Sequence, residues 1–175
     1  MIFNIKICYN IHINKKGGIE LDRISCYVDG AARNNGKPDA IGAWAFVLDY
    51  NSKRTAMSKA VPNITNNQGE LMGILMALRT LKILECEDSL IEIFSDSAYC
   101  VNGITSWVYG WERNGWINSK KKPVENKELW QEIYDLRREF KNLSFTKVKG
   151  HSDNEGNNRA DYLCNKSMDN YTGGG

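Results

Sequence analysis

The chain of 175 residues lacks any run of eighteen apolar residues, and Asn4, Lys6, Asn10 and His12 break up its N-terminus. Neither a membrane-spanning helix nor a secretion leader is therefore expected. It also lacks a Cys-x-x-Cys pair: Cys8, Cys26, Cys86, Cys100 and Cys164 are odd in number and widely spaced. That spacing argues against a disulfide framework and against a zinc site, and fits a reducing cytosol. No internal repeat or low-complexity linker divides the chain, so one domain with a sizeable core is expected. Nor is there a large charge surplus. The net charge is +2, so affinity for a polyanion has to come from local clustering. The expectation is a soluble, cytoplasmic monomer.

What is present centres on residues 91–116, IEIFSDSAYCVNGITSWVYGWERNGW. Leu90 to Phe94 alternate apolar and polar side chains, the period of a strand. Asp96 follows, which puts a carboxylate at the carboxyl end of that strand, the edge where open α/β sheets bind ligands. Trp107, Trp111 and Trp116 then lie among Arg113 and Lys120-Lys121-Lys122. From Gly103 to Pro123, four cations face one anion, Glu112. Rings interleaved with positive charge suit a nucleic-acid strand better than a protein core.

In chain order, residues 5–14 alternate as a strand and Lys15-Lys16-Gly17-Gly18 reads as a turn. A strand over 23–28 ends at Asp29-Gly30, and residues 30–40 read as a loop. Residues 42–50 and 53–61 form a hairpin about Asn51-Ser52. Leu71, Ile74, Leu75 and Leu78 give one buried face to a helix from Gln68 to about Leu84. Further elements are a helix over 125–140 with Leu129, Ile133 and Leu136 inward, a strand over 143–150, and a last helix over 154–168. Parallel neighbours follow from the late β-α-β order and antiparallel ones from the hairpin, so a mixed sheet is predicted.

Taken singly, the acids have ordinary explanations. Asp29 suits a turn. Glu70 is spaced as a capping box with Asn67, although it shares a helix side with Ile74, Ala77 and Leu81. Asp96 could cap the next helix, Asp161 could be solvated, and Ser152-x-x-Glu155 could begin the last helix. Together they are more informative, since Asp29 and Asp96 end strands, Glu70 starts a helix and Asp161 lies on the final one. If the strands are parallel neighbours, these acids converge. Carboxylates without thiolates favour Mg²⁺ or Mn²⁺ over zinc. Two ions roughly 3.5–4 Å apart stabilise both attacking and leaving oxygens of a phosphodiester.

Five segments, YVDGAARNNG, TNNQGELMGILMAL, FSDSAYCVNGITSWVYGWERNGW, KKPVENKELW and VKGHSDNEGNNRAD, together resemble type 1 ribonuclease H from about Ile24 to Ser167. The resemblance implies a ribonuclease H-like mixed five-stranded sheet with helices on both faces. It implies an endonuclease that cuts the RNA strand of RNA–DNA hybrids, leaving 5′-phosphate and 3′-hydroxyl ends, with two Mg²⁺ (or Mn²⁺). Asp29, Glu70, Asp96 and Asp161 match the metal-holding carboxylates, and His151 matches a histidine that assists proton transfer or product release. Asn35, Asn67 and Gln68 match residues near the RNA 2′-hydroxyls, Thr65 and Asn126 a DNA-phosphate pocket, and Tyr99, Trp107, Trp111 and Ser119 the DNA-strand channel. Trp130 is read as core and Trp116 as either core or channel.

Departures from the pattern are Glu112 and Asn114 in the arm, where many relatives carry cations, and Asn63 in place of a pocket Arg. A less basic arm implies weaker, more salt-sensitive hybrid binding. Residues 1–22 have no counterpart and are read as an added N-terminal strand or a start-site artefact, 23–168 as the catalytic domain, and 169–175 as a disordered tail. The competing readings are another nuclease on the same sheet and a hybrid-binding module without catalysis.

Overall fold

The computed structural model describes residues 12–13, 19–20, 23–34, 37, 39–150 and 153–172, the first two pairs as backbone only. Seven strands are present among them: β1 (His12–Ile13), β2 (Ile19–Glu20), β3 (Arg23–Arg33), β4 (Ile41–Tyr50), β5 (Lys53–Pro62), β6 (Leu90–Ser95) and β7 (Asn142–Lys147). The helices are α1 (Asn66–Ile83), α2 (Ala98–Asn102), α3 (Val108–Arg113), α4 (Lys127–Arg137) and α5 (Glu155–Asp169), with a π-helical turn at Gly103–Trp107 joining α2 to α3. β3 to β7 form one sheet in the order β5-β4-β3-β6-β7. Pairing is antiparallel in β3–β4 and β4–β5 and parallel in β3–β6 and β6–β7. The predicted mixed five-stranded sheet is observed.

Alternation along β3 decides which layer each residue joins. Ile24, Cys26 and Val28 pack with Leu71, Ile74, Leu75 and Leu78 of α1 and with Trp130 and Ile133 of α4. On the opposite face Ala43, Ala45 and Val47 of β4 pack with Ala160, Cys164 and Met168 of α5. Covered on both sides, β4 reads as a continuous apolar run, as buried central strands do.

Several predicted boundaries move, each for a physical reason. β3 continues past Asp29 to Arg33 because its antiparallel partner β4 keeps pairing as far as Ile41. The first helix starts earlier than predicted. Thr65, not Asn67, is its N-cap, with the Gln68 N–H donating to Thr65 Oγ1 and the Thr65 N–H donating to Gln68 Oε1. This completed capping box relieves Glu70 of any capping duty. Ser97, not Asp96, caps α2, and Asn154 caps α5. Only His12–Ile13 of the predicted first strand is described, paired antiparallel with Ile19–Glu20. The lysine–glycine turn and residues 173–175 lie outside the described residues. Cys26, Cys100 and Cys164 are free and buried as expected. Cys86, however, is disulfide-bonded, against the expectation drawn from cysteine spacing.

The N-terminus of α1 touches β3 at Gly30 and Gly69. A Cβ on Gly30 would lie 2.0 Å from the Glu70 backbone nitrogen and 2.1 Å from the Gly69 carbonyl carbon. Backbone cannot yield as a side chain can, so helix and strand would have to separate. Gly30→Ala is expected to cost about 3 kcal/mol in urea unfolding, the upper end of overpacking penalties. A loss below about 0.5 kcal/mol would contradict this contact.

Candidate active site

Where β3 and β6 part company, the sheet opens a notch at its carboxyl edge. Their parallel pairing ends at Tyr27 opposite Phe94. Two residues beyond that last pair, on either side of the notch, stand Asp29 and Asp96. The Gly30–Gly69 contact brings Glu70 in from α1. One carboxylate oxygen from each of Asp29, Glu70 and Asp96 lies within 4.8 Å of the others. No such group that includes a thiolate or imidazole occurs among the described residues. The loop after β7 closes in from the other side, where a Cβ on Gly150 would lie 2.6 Å from Asp96 Oδ2.

Such crowding is electrostatically costly. Burial first, then the charges of Asp96 and Asp161, raise the Asp29 pKa from 3.8 to about 6. Glu70 is raised well above its ordinary value, mainly by burial and then by the charges of Asp29 and Asp96. Asp29 Oδ2 and Glu70 Oε2 are buried without a hydrogen-bond partner. Buried carboxylate oxygens left without donors cost free energy. A divalent cation would satisfy them, and an all-carboxylate set suits a hard ion. The residues therefore fit a site for a hard divalent cation.

Asp161 stands on α5 outside the tight group of three, yet close enough for its charge to act on Asp29. Its Oδ1 accepts a hydrogen bond of 3.1 Å from Asn165 Nδ2. Asn157, one helical turn earlier, is 1% exposed. Its Nδ2 donates to Asp96 Oδ2 at 3.4 Å, while its Oδ1 has no partner. Asn157 and Asn165 went unnoticed in the sequence, where Asn157-Asp161-Asn165 at four-residue spacing was the available sign of one polar helix face. Cys164 was also missed; its Sγ donates to the Asp29 backbone oxygen at 3.4 Å. Asn35 and His151 lie outside the described residues.

The remaining predicted positions fall into two places. Tyr99, Trp107 and Trp111 join a chain of rings that also holds Trp130 and Trp116. Trp130 is fully buried, and its indole N–H donates to Tyr99 Oη at 2.9 Å. Trp116 is 9% exposed, which settles it as core, whereas Trp107 is 41% exposed. An open cleft of about 600 Å³ runs along Trp107, Trp111, Arg113 and Ser119. Gly103 lets the π-helical turn sit on the Trp130 ring, 2.1 Å from where a Cβ would be. Asn126 adopts φ 56° and donates from Nδ2 to Tyr99 Oη at 3.3 Å. Thr65 and Gln68 are engaged in capping α1, and Asn67 is half-buried in its first turn.

An acidic notch in the carboxyl edge of a mixed sheet, flanked by an aromatic cleft, defines an α/β protein with a carboxylate edge site. The RNase H family model matches residues 22–169. The Ribonuclease H of Clostridium botulinum is 43% identical over 152 residues, covering 86% of this chain and 99% of that protein. That of Francisella philomiragia is 41% identical over 152 residues, covering 87% and 95%. Among solved structures, LC9-RNase H1, a type 1 RNase H with the type 2 active-site motif, superposes with a TM-score of 0.75 at 24% identity. It covers 87% of this chain and 74% of that one. The chain belongs to the RNase H family.

The raised Asp29 pKa has a consequence for stability. Its folded value lies above the unfolded one, so between about 4 and 6 the folded state binds more protons and metal-free stability falls as pH rises. Asp29→Asn removes this penalty. Without metal, the Asp29→Asn variant is expected to be about 1–3 kcal/mol more stable than wild type at pH 7.5 and nearly equal to it at pH 4. A variant less stable than wild type at pH 7.5 would show that the carboxylate is not strained.

Proposed function

We propose that the protein is an endonuclease that hydrolyses the RNA strand of RNA–DNA hybrids with little sequence preference. The observation that carries this reading is the group of Asp29, Glu70 and Asp96, with its orphaned buried oxygens, at the open sheet edge. In this reading the three carboxylates and Asp161 hold the metal, two Mg²⁺ ions with Mn²⁺ as a substitute. When bound, such ions polarise the scissile phosphate and lower the pKa of an attacking water. Asp29, Glu70, Asp96 and Asp161 would together hold the ions. His151 moves a proton or assists product release. The products carry 5′-phosphate and 3′-hydroxyl ends.

Substrate binding divides in the same way. Tyr99, Trp107, Trp111 and Ser119 take the DNA strand along the aromatic cleft, where rings and Arg113 suit a sugar–phosphate chain. Thr65 and Asn126 grip a DNA phosphate. Asn35, Asn67 and Gln68 meet the RNA 2′-hydroxyls, the groups that distinguish RNA from DNA in a shared groove. Recognition then rests on phosphates, groove shape and 2′-hydroxyls rather than base edges. Residues 23–168 form the catalytic unit in this reading. No described helix is long and apolar enough to cross a membrane. Cys26, Cys100 and Cys164 are free buried thiols, and we infer that the protein acts in the cytoplasm as a monomer.

The test is cleavage of an end-labelled RNA–DNA hybrid in Mg²⁺, beside duplex DNA and duplex RNA. Wild type should cut only the RNA of the hybrid. Asp96→Asn should bind the hybrid as wild type does and cut it at least about 100-fold more slowly, because metal-borne charge stabilisation is worth several kcal/mol. Binding without cleavage by wild type would favour a non-catalytic hybrid-binding module. Equal cutting by Asp96→Asn would remove Asp96 from the site.

A further inference from the structure

Asp161 differs from its three fellow carboxylates in how it is held. Asp29 and Asp96 are anchored by strands and Glu70 by the glycine contact, whereas Asp161 sits partly exposed on α5. Its Oδ1 accepts from Asn165 Nδ2 at 3.1 Å, and the same Nδ2 lies 3.1 Å from the Asp161 backbone oxygen. Asn165 is held in turn, since its Oδ1 accepts from Arg33 Nη2 at 3.0 Å. Arg33, the last residue of β3, is pinned by a second contact, Nη1 to Asp169 Oδ1 at 2.6 Å. The chain Asp169–Arg33–Asn165–Asp161 thus runs from the end of α5, across the end of β3, to the fourth carboxylate.

The polarity of this chain is fixed by its chemistry. Arg33 can only donate, so the Asn165 oxygen must face it and the Asn165 amide must face Asp161. A donor then meets a carboxylate that would otherwise turn freely with its rotamer. The contact uses Oδ1, leaving the second carboxylate oxygen outside it. Asp169 and Arg33 are 61% and 43% exposed, and exposed ion pairs add little to stability. Their cost in immobilised side chains is better explained by what they position.

We propose that Arg33 and Asn165 are positioning residues that hold Asp161 in its metal-binding orientation. This rests on the reading of Asp161 as a metal-holding carboxylate. Partners behind metal ligands typically change metal affinity or activity by 10–100-fold, and the exposure here favours the lower end. The site is thereby coupled to the end of β3, two residues before Asn35, which the proposed function sets against the RNA strand.

The experiment follows Mn²⁺ binding to the full chain by the metal's paramagnetic resonance signal and the Mg²⁺ dependence of hybrid cleavage, with melting temperature measured alongside. The proteins are wild type, Asn165→Ala, Arg33→Ala, the double variant and Asp161→Asn. Both single variants should need about tenfold more metal. Hybrid KM and melting temperature should stay close to wild type, and the double variant should be no worse than Asn165→Ala alone, because the two act through one chain. Unchanged metal dependence in both single variants, with Asp161→Asn impaired, would overturn the positioning chain and leave the function intact. A parallel fall in melting temperature would mark a purely structural role and also overturn it. If Asp161→Asn itself matches wild type, Asp161 is not a ligand, and that assignment falls together with the chain.

Discussion

Mutual repulsion among Asp29, Glu70 and Asp96 is the constraint around which this structure is arranged. Three carboxylate oxygens within 4.8 Å of one another are unfavourable in any protein without a cation, and here Asp29 and Glu70 also bury oxygens without donors. The surrounding fold is what forces them together. The β3–β6 register brings two aspartates side by side, and the glycine contact drives α1 close enough to add a glutamate. Each device serves ordinary packing as well, which is why the acids cannot drift apart without unpacking the sheet. Strain of this kind is stored where the protein acts.

Release of that strain depends on what lies behind the acids. α5 places Ala160, Cys164 and Met168 against β4 and offers a polar face of Asn157, Asp161 and Asn165 to the site. Asn157 meets Asp96 and Asn165 meets Asp161. One helix therefore closes the second layer of the core and orients two of the four acids. The aromatic arm is organised on similar lines: Trp130 is buried and donates to Tyr99, while Trp107 at the other side of Tyr99 is left exposed along the cleft. Core packing and a surface suited to a nucleic-acid strand share the same run of rings.

Much of this was legible in the sequence because the strand and helix periods were clean. The alternation at Leu90–Phe94 and the apolar stripe of α1 placed Asp96 and Glu70 correctly on their elements. Asp29 was assigned to a strand end, yet β3 runs on to Arg33. Its neighbourhood is nevertheless an end, because the parallel partner stops at Phe94 and only the antiparallel one continues. That asymmetry is a matter of pairing, which a single strand's pattern does not carry. The capping box was displaced from Asn67–Glu70 to Thr65–Gln68 because both spacings satisfy the motif, and tertiary packing chose the one that freed Glu70. Asn157, Asn165 and Arg33 stayed hidden for a related reason. Asn157–Asp96 spans 61 residues, Arg33–Asn165 132 and Arg33–Asp169 136, so no local pattern carries these contacts, and only the four-residue step from Asp161 to Asn165 lay within reach of the sequence. The Cys86 disulfide was equally invisible to spacing.

The most direct test of this account is a calorimetric titration of the wild-type chain with Mg²⁺ at pH 6 and pH 8, in buffers of different ionisation heat. With the Asp29 carboxyl raised to about 6, binding at pH 6 should release on the order of half a proton from that group, and binding at pH 8 should release markedly less from it. Binding at pH 6 with no proton release would contradict the account, because it would mean that these acids are fully ionised without a metal. Absence of any Mg²⁺ binding at either pH would contradict it outright.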